Sequence, residues 1–147
     1  MYNTALRIVR DEDEAADVLQ DAFVDAFSRL HAFRQESTFG MWMKQIVINK
    51  SISALRKRKI EFLSLTGHEE ITDEDDYENE DLAYQVEAVK RAIDQLPDGY
   101  RLVLTLYLLE GYDHEEIAHI LRISEATSRS QFLRGKRRLL NHLATGN

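Results

Sequence analysis

The sequence predicts an all-α chain of two small helical domains joined by an acidic linker, and three observations carry that reading. Apolar residues recur at helical spacing almost throughout, and no stretch alternates as a strand would. Turn formers are scarce, with 1 Pro and 6 Gly in 147 residues. Charge is unevenly divided. The net charge is −7, yet residues 66–85 hold nine acids and no Lys or Arg, whereas residues 1–65 carry ten bases and nine acids. Residues 86–147 carry nine bases and eight acids. Like charges at such density repel, and few apolar residues stand there to be buried, so Thr66–Asp81 is expected as a flexible linker. The domains are then 1–65 and 82–147. Domains of ~65 residues bury only about 60% of their unfolded surface, a margin that favours docking onto something larger.

Taken in order, Met1–Val9 reads as the end of a helix. Asp11 or Asp13 starts a long helix to about Phe33, with an apolar face of Ala15, Leu19, Ala22, Phe23, Ala26, Phe27, Leu30 and Phe33. The loop Arg34–Ser37 follows, and Ser37 or Thr38 caps a third helix to about Lys59, with Phe39, Trp42, Ile46 and Leu55 in its core. A helix from about Leu82 to Leu96 stops before Pro97, because the residue before a proline is pushed out of the helical region. Tyr100–Leu109 is next, with Gly111 as its stop. Asp113 and Glu116 form a capping box for a helix to Leu121 that carries Ile117, Ala118 and Leu121 on one face. After a break at Arg122-Ile123, Ser124 caps the last helix, with Thr127, Arg129, Ser130 and Arg134 on one side and Lys136 beyond.

Several chemistries find no support. There is no cysteine, which removes disulfides, thiolate metal sites and a thiol nucleophile. No apolar run approaches the length of a membrane span and no signal peptide opens the chain, so a soluble cytoplasmic protein is expected. A calcium loop starting at Asp73 fails, because Glu78 stands where Gly is needed and Tyr84 where Glu is needed. His114 and His119 are spaced i, i+5 rather than the i, i+4 of a zinc-protease helix. Gly135-Lys136 lacks the upstream glycine of a phosphate loop, and no Ser/His/Asp set is arranged for nucleophilic work. Neither an enzyme, a metal nor a cofactor is expected.

What the sequence offers instead is a set of binding surfaces. A short helix, a tight turn and a second helix with polar and basic residues form the helix-turn-helix pattern, whose second helix enters the major groove. The same geometry also serves as plain packing in helical proteins. Asp17, Asp21 and Asp25, at i, i+4, i+8, form an acidic stripe that suits either a solvated face or a basic partner. Arg56, Lys57, Arg58 and Lys59 are more cations than a helix dipole needs, and suggest phosphate contacts. Trp42, Lys44, Asn49 and Lys50 on the same helix suit unstacked bases, although Trp42 alone reads first as core. Asn49 has two readings: contact with a base edge, or with a buried backbone group.

Two stretches together resemble an extracytoplasmic-function sigma factor of the sigma-70 family. DEDEAADVLQDAFVDAFSRLHAFRQESTFGMWMKQIVINKSISALRKRK is similar to the family's core-binding and −10-reading region, and LPDGYRLVLTLYLLEGYDHEEIAHILRISEATSRSQFLRGKRRL to its −35-reading region. The resemblance implies that Asp17, Gln20, Asp21 and Phe23 dock on the β′ clamp of RNA polymerase core, and that the second domain contacts the β flap. It implies that the loop Arg34–Thr38 takes a flipped base of the −10 strand, with Asn49 and Trp42 at matching positions and Lys50, Arg56, Lys57 and Arg58 alongside. Thr127, Arg129, Ser130 and Arg134 match the −35 recognition helix, which Lys136 extends. An anti-sigma factor, in some cases membrane-anchored, is the further partner implied, with no membrane insertion by this chain. Departures are Ser53 where the family often has Asp, and Ser128 where the recognition helix commonly has an apolar packing residue. The function implied is that of an alternative sigma factor directing core enzyme to specific promoters. A stand-alone helix-turn-helix regulator and a helical interaction module without DNA are the rival readings.

Overall fold

The computed structural model describes residues 1–33, 37–66 and 86–145, and all regular structure among them is helical. The chain divides into two compact units, residues 1–69 and 70–147. Most of the expected linker, residues 67–81, lies outside the described residues, as do residues 34–36 of the expected base-capturing loop.

The first unit contains α1 (Tyr2–Val9), α2 (Glu12–Ser28) and α3 (Phe39–Thr66). Arg10 turns the chain between the first two by adopting a left-handed conformation at φ 58°, with its N–H donating to the Leu6 carbonyl. Asp11 is the cap of α2, its carboxylate accepting from the Glu14 N–H at 2.8 Å. The helix ends five residues before the expected Phe33. The Ser28 hydroxyl donates to the Asp25 carbonyl, and Arg29 N–H is shared between Asp25 and Ala26, which tightens the chain into a 3₁₀ turn at Leu30–Ala32. Thr38 caps α3 by accepting from Met41 N–H. That helix outruns the expected Lys59 to Thr66, since neither Gly nor Pro stands between residues 41 and 66 to stop it.

The core of this unit differs from the expected one. Ala15, Val18, Ala22 and Ala26 form the buried face of α2, against Ala5, Ile8 and Val9 of α1 and Met43, Val47, Ile48, Ile52 and Leu55 of α3. Phe23, Phe27 and Leu30, expected inside, are exposed by 42%, 73% and 48%, and Phe39 is exposed as well. Leu19 and Phe33 are half-buried. Alanine at three inward positions brings the helix backbones close together, and at that spacing the large rings fall on the other side of the helix. Arg58 fastens all three helices: Nη1 is 2.5 Å from Glu14 of α2, and Nη2 donates to the Val9 carbonyl of α1 at 2.7 Å.

The second unit contains α4 (Val86–Asp94), α5 (Asp98–Leu104), α6 (His114–Leu121) and α7 (Glu125–Ala144). α5 starts directly after Pro97, earlier than expected, and its end widens into a single π turn, Thr105–Leu109. Ala92, Ile93, Leu96, Tyr100, Leu104 and Leu139 form the core. Arg101 is fully buried and ion-paired with Asp98 one turn before it. Gly135 lets α7 cross α5 closely: a Cβ there would stand 3.0 Å from Tyr100 Cβ and 3.3 Å from Leu104. Gly111, at φ +79°, ends the π turn as expected.

Candidate functional sites

The helix-turn-helix forms as its caps dictate. Asp113 accepts from Glu116 N–H at 2.8 Å while the Glu116 carboxylate accepts from Asp113 N–H at 3.1 Å, the reciprocal capping box. Arg122 takes a left-handed conformation at φ 57°, Ile123 N–H returns to the Ala118 carbonyl, and Ser124 accepts from Thr127 N–H at 3.0 Å to open α7. Beside the turn, burial raises the Tyr112 phenol above its ordinary range, and the carboxylates of Glu110 and Glu116 raise it further.

On α7 the buried positions Ser128, Gly135 and Leu139 define the inward face. Thr127, Arg129, Ser130, Arg134 and Lys136 are all exposed. They do not share one side, as the sequence had suggested. Five residues at 100° each place Arg129 and Arg134 about 140° apart, on opposite flanks of Ser130. The Thr127 hydroxyl accepts from Ser124 at 2.8 Å and so belongs to the cap, while Arg129 Nη1 donates to Glu125 at 2.7 Å. Arg138, from the basic end, lies over the Tyr100 ring at 5.6 Å. Leu133, exposed by 56% between Arg129 and Arg134, went unremarked in the sequence, because an apolar residue in a helical stripe reads as core.

On α3, Trp42, Asn49 and Arg56 stand at i, i+7, i+14 and therefore on one line, with the exposed Gln45 and Ser53 between them. Trp42 is half-buried in a cluster with Phe33 and Phe39, ring centroids 5.2 and 5.7 Å away. Asn49 is exposed, which removes the reading in which it serves a buried backbone group. Lys57 is exposed at the edge of this line. Lys50 turns aside, its Nζ 4.0 Å from Asp25 of α2, and Arg58, although exposed, is bonded to Val9 of α1 and Glu14 of α2. The structure thus separates residues that the sequence had grouped by charge alone.

On α2 the outward face joins acids to large apolar groups. Asp17, Gln20 and Asp21 are exposed next to Phe23, Val24 and Phe27. Asp25, the third member of the acidic stripe, is half-buried and paired with Arg29 at 2.6 Å. Phe23 had been expected both in the core and at a partner, and it lies outside the core.

Comparison with known proteins places this geometry. Residues 1–60 match the Sigma-70 region 2 family, and residues 86–139 match Sigma-70, region 4. The ECF RNA polymerase sigma factor SigM of Bacillus subtilis is 33% identical over 95% of this chain and 85% of that protein. The RNA polymerase sigma-H factor of Pseudomonas aeruginosa is 34% identical over 89% of this chain and 74% of its own length. Among solved structures, the sigma factor RpoE in complex with the anti-sigma factor NepR from Bartonella quintana shares the fold, with a TM-score of 0.66 at 23% identity over 99% of this chain and 91% of that one. CnrH in complex with the cytosolic domain of CnrY aligns with a TM-score of 0.58 at 23% identity, covering 99% and 81%. With both sigma-70 regions present in order and a third of its residues shared with such relatives along nearly its whole length, the chain belongs to the extracytoplasmic-function sigma factors.

Proposed function

We infer that this chain is an alternative sigma factor: it joins RNA polymerase core, directs it to a subset of promoters and starts transcription there. The observation that supports the reading is that one chain holds both sigma-70 regions and exposes an acidic, apolar face on α2 and polar, cationic faces on α3 and α7. The α2 face, with Asp17, Gln20, Asp21 and Phe23, is the docking surface for the β′ clamp. The α3 line of Trp42, Asn49 and Arg56, with Lys57 beside it, meets the −10 strand, where an exposed amide near an aromatic cluster suits an unstacked base. Lys50 and Arg58 have a bracing task within the domain in addition to any phosphate contact. The α7 helix reads the −35 duplex, with Arg129, Ser130 and Arg134 facing DNA and Lys136 adding charge.

The chain makes and breaks no bond in this role. Its domains, 1–65 and 82–147, bind weakly on their own and add through the effective concentration that residues 66–81 impose. No helix among the described residues is long and apolar enough to cross a membrane, and the work is placed in the cytoplasm, where polymerase and promoters are. The sigma factor RpoE of one structural match was solved with the anti-sigma factor NepR, and an anti-sigma factor is the regulator proposed for this chain.

Fluorescence anisotropy with labelled promoter duplex, with and without core polymerase, tests the reading. Specific binding that appears only with core is the expected result. Tight, sequence-specific binding by the free chain would instead assign it to stand-alone helix-turn-helix regulators.

A further inference from the structure

A polar contact lies inside the helix-turn-helix, at a position where the family pattern has an apolar packing residue. Ser128, on the inward face of α7, is fully buried, and its Oγ is 2.8 Å from Nδ1 of His114, the first residue of α6. A buried helical serine ordinarily bonds back to the carbonyl four residues earlier. Here it is paired across two helices instead. The imidazole is itself held on two sides. It lies nearly parallel to the Tyr107 ring, centroids 4.7 Å apart at 21°, and meets Phe132 edge-on at 5.5 Å. Tyr107 and Phe132 in turn stand 4.6 Å apart. The π turn, α6 and α7 therefore converge on one side chain.

We propose that the His114–Ser128 hydrogen bond sets the rotation of the recognition helix about its own axis, and so positions Arg129 and Ser130 for the −35 duplex. The inference rests on the sigma-factor reading above. Each residue turns a helix by about 100°, so the direction of Ser128 dictates where the next two side chains point. An apolar contact is non-directional and tolerates some roll of one helix on another. A 2.8 Å hydrogen bond to a ring that is stacked on one side and edged on the other does not. A hydroxyl can donate or accept, so either neutral tautomer of the ring makes the bond. His114 is thus a positioning residue that acts through Ser128, and the pair distinguishes this chain from members with an apolar residue at 128.

The test compares polymerase holoenzymes carrying the full chain as wild type, His114→Phe, Ser128→Ala, both together, and His114→Asn. Each is titrated with a promoter duplex and with one whose −35 hexamer is scrambled, and thermal unfolding of each chain is recorded alongside. The expected result is that His114→Phe and Ser128→Ala each lower the ratio of the two affinities by about tenfold, because either change leaves the other partner without its directional contact. The double variant should lose no more than either single one, as two ends of one bond require. His114→Asn, which keeps a polar atom near the Nδ1 position, should retain most of the discrimination while losing the Tyr107 stack. Ser128→Ala, small and helix-favouring, keeps the test decisive if the ring replacement disturbs packing. Folded single variants with wild-type discrimination, or losses that simply add, would overturn the proposal and leave the sigma-factor reading standing. A wild-type holoenzyme indifferent to the −35 sequence would overturn both.

Discussion

The two units solve the problem of being small in opposite ways. The first packs α2 on alanines and leaves that helix's larger apolar side chains outside: Phe23, Val24, Phe27 and Leu30 are exposed on and just after α2. The second closes Tyr100 and Leu104 over Gly135 in its core, and presents mostly hydroxyls and cations on α7, with Leu133 among them. An exposed apolar face beside carboxylates fits a protein partner, and a polar cationic helix fits a polyanion. The difference teaches that small helical domains of similar length can be specialised by choosing which side of a helix receives its bulk.

Removing the bulk from the first unit is the sharpest way to break this comparison. Phe23→Ser combined with Phe27→Ser should weaken binding to core polymerase by about a hundredfold, the scale of losing a buried aromatic anchor at an interface. Thermal unfolding of the free chain should hardly move, because neither ring is in the core. Titration of core with fluorescently labelled chain measures the first quantity and calorimetry the second. A large loss of stability with normal binding would return both rings to a structural role.

How much of this was legible beforehand differs between the units for a physical reason. Caps are local chemistry: the Asp113/Glu116 box, Ser124 and the Gly111 stop were readable, and the caps of α2 and α3 were readable to one of two residues each, with Asp11 and Thr38 the ones used, because a cap needs only a side chain or a glycine and the backbone within three residues of it. The start of α7 was readable for the same reason. Which face of α2 is inward was not. Its apolar residues cover more than one face, so periodicity admits a phenyl face or an alanine face, and the choice depends on how closely α1 and α3 approach. Charge runs are incomplete guides in a similar way. Arg56, Lys57 and Arg58 are neighbours in sequence, but successive residues point 100° apart, so one run supplies both members of the α3 line and the brace to α1 and α2. The His114–Ser128 contact joins residues fourteen positions apart, and its only trace in the sequence was a polar residue at a position expected to be apolar.

Arg58 and Lys57 test that sorting of charges, with a smaller effect. Arg58→Ala should cost the first unit about 1–2 kcal/mol, since it removes a part-buried bond to the Val9 carbonyl together with the Glu14 pair. Lys57→Ala should leave unfolding unchanged, weaken promoter binding by the holoenzyme for all sequences alike, and lower the salt slope by about one. Chemical denaturation and salt titrations read the two outcomes. The reverse pattern would mean that Arg58 serves DNA and Lys57 the fold.

The smallest expected effect lies on α7 and sharpens the other side of the comparison. Arg129 is the candidate base reader nearest the start of the recognition helix, yet in the free chain its guanidinium is held by Glu125 at 2.7 Å, with both side chains about half exposed. An exposed i, i+4 pair of this kind is worth roughly 0.3–0.5 kcal/mol, which must be given up before the guanidinium can turn to a guanine edge. The same carboxylate stands near the helix N-terminus, where approaching phosphates repel it. Glu125→Gln removes both costs, so −35 binding by the holoenzyme should tighten about twofold. The promoter consensus should stay the same, because the reading group is untouched. A promoter library selected with wild type and variant, followed by affinity measurement on the winning hexamer, gives both results. A consensus that changes at one position would instead assign Glu125 a direct contact, as a carboxylate accepting from a cytosine amine, and would make Arg129 the residue that holds it in place.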